Sequence, residues 1–132
     1  IGLDRTFLAV LSHAYTEEQL QDNSTRVVLR FAPHIAPIKL AILPLVRKDN
    51  MPEIAHSIFD KLKHSFHCQY DEKDTIGRRY RRQDAIGTPF CITVDNDTIQ
   101  DSTVTVRHRD SMKQEKISVD KIYEYISTSL LF

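Results

Sequence analysis

An α/β domain built on a mixed five-stranded sheet with three helices is predicted by three observations. Two short, largely apolar runs read as strands, Ile38 to Leu43, with the character of a strand buried on both faces, and Phe90 to Val94. Between them lie two segments of helical periodicity. After them comes a stretch of strict alternation from Thr103 to Arg109. Strand, helix, strand, helix, strand is the grammar of a parallel sheet with right-handed crossovers, to which the alternating stretch adds a hairpin.

Ile1 to Leu11 reads as the end of a strand turning into a helix, with Asp4 and Arg5 at the junction. Phe7, Leu8, Val10 and Leu11 form an apolar segment with no partner in the rest of the chain, and a chain opening on Ile1 rather than methionine fits a fragment of a longer protein. Glu17 to Ser24 is polar and aperiodic, which places a boundary between a short helical remnant at residues 1–25 and the domain proper at residues 26–132. Arg26 to Phe31 is a short strand candidate, and Pro33 and Pro37 bracket the connector to the run that Pro44 ends.

Asn50 is placed to cap the next helix, with Glu53 three residues on and Pro52 in the first turn. Ile54, Ile58 and Leu62 repeat every fourth residue, and Ala55, Phe59 and Phe66 widen the stripe to a helix of about four turns. His67 to Tyr70 is a short strand, after which Ile76 to Ile86 winds as a helix capped by Asp74 or Thr75, stopped by Gly87 and barred from extension by Pro89. At about 100° per residue, Ile76 and Tyr80 share one side, which Ile86 extends, while Arg78, Arg81 and Arg82 gather opposite. Arg79 falls beside Ile86 and Gln83, where an always-charged guanidinium needs a partner or a wet groove.

Asp95 to Ser102 is turn-rich. Beyond it Val104 and Val106 point one way, and Thr103, Thr105, Arg107 and Arg109 the other. Asp110 to Met112 turns the chain, Lys113 to Ser118 pairs back, and Ser118 or Asp120 opens a last helix carrying Ile122, Tyr123, Ile126 and Leu130.

With 132 residues the chain has room for one ordinary core. Eighteen basic residues against eighteen acidic ones exclude a protein that binds polyanions with its whole surface, so any nucleic-acid site must be local. Cys68 and Cys91 form no Cys-x-x-Cys and have no histidine at ligand spacing, so neither a metal site nor a disulfide framework is expected. No signal peptide or membrane-spanning run is visible. The six histidines are scattered, His56 and Asp60 form only an i, i+4 surface pair, and no serine or cysteine sits in a nucleophile motif. An independent enzyme is therefore a poor reading, and no catalytic residue is expected within the chain.

The chemistry concentrates in two arginine clusters, Arg78, Arg79, Arg81 and Arg82 on the helix and Arg107 and Arg109 at the strand end. Guanidinium forks grip phosphates and base acceptors, while carboxylates such as Asp84 and Asp110 accept from exocyclic amines. Gln83 offers both functions, and Tyr80 and Phe90 are candidate stacking planes for unpaired bases. The same charge run is equally what a solvated helix face displays.

The segments Leu40-Ala-Ile-Leu-Pro-Leu, Ile76-Gly-Arg-Arg-Tyr-Arg-Arg-Gln-Asp, Ile86-Gly-Thr-Pro-Phe and Thr105-Val-Arg-His-Arg-Asp-Ser-Met resemble the C-terminal anticodon-binding domain of dimeric-type glycyl-tRNA synthetase. Ile1-Gly-Leu-Asp-Arg5 resembles motif 3 of the class II aminoacyl-tRNA synthetases. The resemblance runs almost end to end, departing from the family's acidic residues at Ala85 and His108. It implies the anticodon-binding domain fold of that class, with residues 1–25 as the end of a catalytic domain whose Arg5 contacts the ATP phosphates. For the full-length protein it implies a cytoplasmic, homodimeric ligase that uses ATP and Mg2+ to attach glycine to its tRNA. Motifs 1 and 2 are absent, so this stretch alone is expected to be inactive and to need no cofactor. Its partner would be the anticodon stem-loop of glycine tRNA, with no membrane involved.

Glycine anticodons end in two cytosines, whose Watson-Crick edge calls for one acceptor and one donor. Under the resemblance, Asp84 and Asp110 are the candidate acceptors and Arg79, Gln83, Arg107 and Arg109 the candidate donors. Arg78, Arg81 and Arg82 suit phosphates. Two other readings stay open: a non-catalytic nucleic-acid-binding subunit related to the mitochondrial DNA polymerase accessory protein, against which an intact Arg5 argues, and a protein-interaction module.

Overall fold

All five residues of the apolar run Leu40–Pro44 are buried, as a strand at the centre of a sheet requires. In the computed structural model, which describes residues 9–20 and 24–130, this strand (β3) has parallel neighbours on both sides. They are β4 (Cys68–Tyr70) and β5 (Phe90–Val94). Antiparallel β6 (Thr103–His108) and β7 (Gln114–Ser118) follow, giving the order β4-β3-β5-β6-β7. The mixed five-stranded sheet is the one expected. The motif-3-like segment with Arg5 lies outside the described residues.

The crossovers put helices on opposite faces. Helix α1 (Met51–Leu62) buries Met51, Ala55, Ile58 and Leu62 against one face. Helix α2 (Ile76–Ile86) packs on the other, where Ala41, Leu43 and Cys91 meet Ile76 and Tyr80. Helix α3 (Asn96–Asp101) joins β5 to β6, and a 3-10 turn at Val119–Lys121 leads into α4 (Ile122–Ser129), which covers the α1 face with Ile122 and Ile126.

Four local expectations are corrected. Asn50 lies in the left-handed region with φ 64° and makes no side-chain cap, so the expected capping box is not formed. The turn-rich stretch after Val94 contains α3, started by a capping box in which the Asp95 carboxylate accepts from the Thr98 amide and the Thr98 hydroxyl accepts from the Asp95 amide. Ile86, expected to extend the apolar stripe of α2, is 40% exposed. The fourth correction concerns the polar stretch after Ala14. Tyr15–Gln19 forms a strand, β1, antiparallel to β2 (Thr25–Leu29), and this ribbon runs across the boundary drawn at residue 25. Its inward row pairs Glu18 with Arg26 and Thr16 with Val28. Charged residues on that row hide the period of two from any hydropathy pattern.

Helix α2 takes its start from the Thr75 hydroxyl, which accepts from the Arg78 amide at 3.3 Å. Its end at Gly87 has φ 86°, and a Cβ there would collide with the Phe31 ring. Glycine is therefore required both by the backbone and by the ring from the ribbon's exit.

Candidate nucleic-acid interface

The face of the sheet under α2 becomes polar as it passes from β3 to β6. The register sets Cys91 beside Arg107 and Thr93 beside Thr105, then Arg107 beside Gln114, Thr105 beside Lys116 and Thr103 beside Ser118. Directly opposite residues share a face, so Thr93, Thr103, Thr105, Arg107, Gln114, Lys116 and Ser118 form one polar surface. Gln114 and Lys116 are exposed, Thr103, Thr105 and Ser118 partly so, and Arg107 is sealed at the seam with α2.

That seam is held by Asp84. The Arg107 fork grips its carboxylate, Nη1 donating to Oδ1 at 2.9 Å and Nη2 to Oδ2 at 3.1 Å. Arg26, arriving from the ribbon, donates its Nη1 to Oδ2 at 3.2 Å and to the Arg109 carbonyl at 2.6 Å. Arg26 is also paired with Glu18, which binds Arg30 at 3.0 Å. Arg30 in turn donates to Asp110 at 3.0 Å, and Arg109 to the same carboxylate at 2.9 Å. The chain of contacts joins Arg26, Arg30, Arg81, Arg107 and Arg109 to Glu18, Asp84 and Asp110. Five guanidiniums against three carboxylates leave a local excess of positive charge in a chain whose net charge is zero.

The electrostatics follow the contacts. Burial opposes the Arg107 charge, yet the hydrogen bonds and field of Asp84 raise its pKa above the usual arginine value. The Arg26 hydrogen bond holds the Glu18 carboxyl below the ordinary carboxylate range. Asp110 is also held low, since Arg109 and Arg30 outweigh its partial burial. Burial pushes the Cys68 thiol up to about 11 and Cys91 up to about 12, so both are inert as thiolates at neutral pH.

The helix and the strand end therefore meet, but in a way that corrects most of the expected base contacts. Arg79, Gln83, Asp84, Arg107 and Arg109 are each 3% exposed or less. Arg79 donates to the carbonyls of Pro44, Asp71 and Leu45, bracing the ends of β3 and β4, and burial lowers its pKa. Gln83 bonds Gln69 and the Thr88 hydroxyl. Arg109 donates to the Gly87 and Phe31 carbonyls, closing the ribbon onto the end of α2. Groups so engaged cannot face a base without unpacking the seam. Asp110, with a side chain 56% exposed, is the one expected reader that remains open.

The two stacking candidates are also corrected. Phe90 is buried, edge-on to His108 and Tyr125. Tyr80 carries the Arg107 guanidinium over its ring at 4.6 Å and shares a hydrogen bond of 2.6 Å with Thr93. Its ring is part of the seam.

The outward trio is where the helical projection places it. The Arg78 side chain is 76% exposed and lies 3.9 Å from Asp74. Arg81 is 42% exposed, 3.7 Å from Asp84. Arg82 is tied to Asp71, Asp74 and the Lys73 carbonyl at 2.7 to 2.8 Å. Sequence reasoning missed the ribbon residues Glu18, Arg26 and Arg30. The signal available was that Arg26 shares its strand parity with Val28. Among the described residues no cluster of histidine, cysteine and carboxylate side chains can hold a metal ion, and no helix is long and apolar enough to cross a membrane.

Comparison with known proteins gives this geometry a family. The chain is 50% identical over 131 residues to the Glycine--tRNA ligase of Borrelia hermsii, covering 99% of this chain and 29% of that protein. The Glycine--tRNA ligase of Chlorobaculum tepidum is 52% identical over 130 residues, covering 98% and 27%, and that of Clostridium acetobutylicum is 48% identical, covering 98% and 28%. The chain thus spans less than a third of the length of these relatives. Its fold is similar to that in a crystal structure of prolyl-tRNA synthetase from Cryptosporidium parvum, with a TM-score of 0.71 over 78% of this chain and 22% of that one, at 23% identity. Residues 39–129, well over half the chain, match the family described as "Anticodon binding domain", and the chain belongs to that family.

Proposed function

We propose that this chain is the anticodon-binding part of a glycine-tRNA ligase and that it holds the anticodon loop of glycine tRNA along the seam between α2 and β6. The observation that carries this reading is the local excess of guanidinium charge beside an open polar sheet face in an otherwise neutral chain. Arg78 and Arg81, exposed and only loosely paired, take phosphates, while the Arg82 guanidinium shapes the loop that flanks them. Discrimination of the cytosines falls to exposed and part-exposed groups on the rim: the Gln114 amide, which carries a donor and an acceptor, with Thr105, Lys116, which also pairs with Asp97, and the Asp110 carboxylate. The identity to Glycine--tRNA ligases across nearly the whole chain supports glycine tRNA as the partner.

The remaining functions belong to the longer protein. There, glycine, ATP and Mg2+ are the reactants and cofactor, Arg5 contacts the ATP phosphates, and a cytoplasmic homodimer carries out the ligation. The present chain alone is inactive. A glycine-anticodon stem-loop titrated across a salt series tests the RNA reading. Arg81→Ala should weaken binding to cognate and non-cognate loops alike and reduce the slope of log K against log salt by about one. Binding that ignores salt would instead favour a protein-interaction module.

A further inference from the structure

We propose that Arg26, in the ribbon and outside the stretch matched by the family, is a positioning residue for RNA recognition: it occupies Asp84 Oδ2 so that Arg81 stays free to grip phosphate. This rests on the reading of Arg81 as a phosphate ligand.

The argument is one of competition for a single oxygen. Asp84 Oδ1 receives the Arg107 Nη1 donor, and Oδ2 receives Arg107 Nη2 and Arg26 Nη1. A carboxylate oxygen presents two lone pairs, so Oδ2 is full. Arg81 Nη1 stands 3.7 Å from that same oxygen, beyond hydrogen-bond range. It is attracted by the charge but has no lone pair to occupy. Were Arg26 absent, Arg81 is the cation placed to fill the vacated site, one turn away on the same helix. A short swing would bring it into contact and draw its guanidinium off the surface.

Arg26 is built to hold this position. It is fully buried. It is anchored at one end by the Arg109 carbonyl at 2.6 Å and at the other by Glu18, to which its Nε donates at 3.0 Å. A residue that served only to neutralise Asp84 would be redundant, because the Arg107 fork already does so. The ribbon thereby acts on the interface without touching RNA.

The test uses the 132-residue chain and a glycine-anticodon stem-loop, with affinity measured from low to moderate salt for wild type, Arg81→Ala, Arg26→Gln and the double variant. Arg26→Gln should lower the salt slope by about one, as Arg81→Ala does, and the double variant should bind no more weakly than Arg26→Gln alone. Arg26→Lys, which keeps a donor for Asp84, should recover part of the slope. A wild-type slope in folded Arg26→Gln, or additive losses in the double variant, overturns the inference. Should Arg26→Gln fail to fold, Glu18→Gln loosens the same anchor from a partly exposed position, and an unchanged slope there overturns it equally. Loss of all effect from Arg81→Ala in an otherwise binding protein would instead strike the phosphate reading beneath it.

Discussion

The two faces of the sheet are closed by opposite chemistries. Under α1 and α4 the closure is hydrocarbon: Leu40, Ile42, Ile92, Val94, Val104 and Val106 lie at 1% exposure or less against Met51, Ala55, Ile122 and Ile126. Under α2 the apolar contact shrinks to Ala41, Leu43 and Cys91 with Ile76 and Tyr80, and the rest of the seam is Asp84 with its guanidiniums. Apolar packing stabilises in proportion to area and is tolerant of small shifts. An ionic seam fixes orientations and fails sharply when one member is removed. The difference is why the proposed RNA surface is put beside the α2 face and not the α1 face: the ionic seam keeps its charges in register and leaves an excess at the edge.

The largest expected effect is Asp84→Ala, which strands Arg26 and Arg107 in the interior and should cost about 4 kcal/mol in denaturant unfolding. On the other face Ile92→Ala should cost about 3 kcal/mol, from lost transfer energy and a cavity. If Asp84→Ala costs much less than Ile92→Ala, the ionic seam does not hold that face. Gly87→Ala comes next, about 2 kcal/mol in thermal unfolding, because it forces a positive φ and meets Phe31. Replacing Arg26, Asp84 and Arg107 together by Met, Leu and Met should leave stability within about 1 kcal/mol of wild type or raise it. With no Asp84 carboxylate left to draw it inward, Arg81 should keep its share of the stem-loop salt slope, which separates the seam's part in holding the fold from Arg81's part in holding the RNA.

The smallest effect is on acid stability. Glu18, held low by Arg26, and Asp110, held low by Arg109 and Arg30 against its burial, have folded pKa values below their unfolded ones. Their contribution is complete above the unfolded carboxylate range of about 4 and disappears as pH falls through the folded values. Glu18→Gln should therefore lower stability modestly in the neutral region, where that contribution is complete, and flatten the acid limb measured from pH 5 down to pH 2, so that variant and wild type converge at the acid end.

Much of the fold is legible in the sequence. Phe90 to Val94 reads as a strand at its observed bounds, the alternation of Val104 and Val106 sets the correct face inward, and the stop at Gly87 follows from its residue type. The failures share a cause. Asn50 has the composition of a cap but a left-handed backbone, and β1 has no apolar row because its inner face carries Glu18 opposite Arg26. Periodicity reports apolar burial, and these elements are placed by charge and backbone geometry.

The arginines of α2 show where the division lies. Sequence alone determined that Arg78, Arg81 and Arg82 face outward and that Arg79 sits near the apolar side, because helical geometry is local and repeats every 3.6 residues. It also identified Arg107, Arg109 and Asp84 as parts of one region. Only the tertiary structure decided that these three, with Arg79 and Gln83, face inward to partners such as Pro44, Gln69, Phe31 and Arg26, up to 78 residues away in the chain. A buried guanidinium and an RNA-binding one have the same spelling. What separates them is whether folding brings a carbonyl or a carboxylate within hydrogen-bond reach, which is a property of long-range contacts.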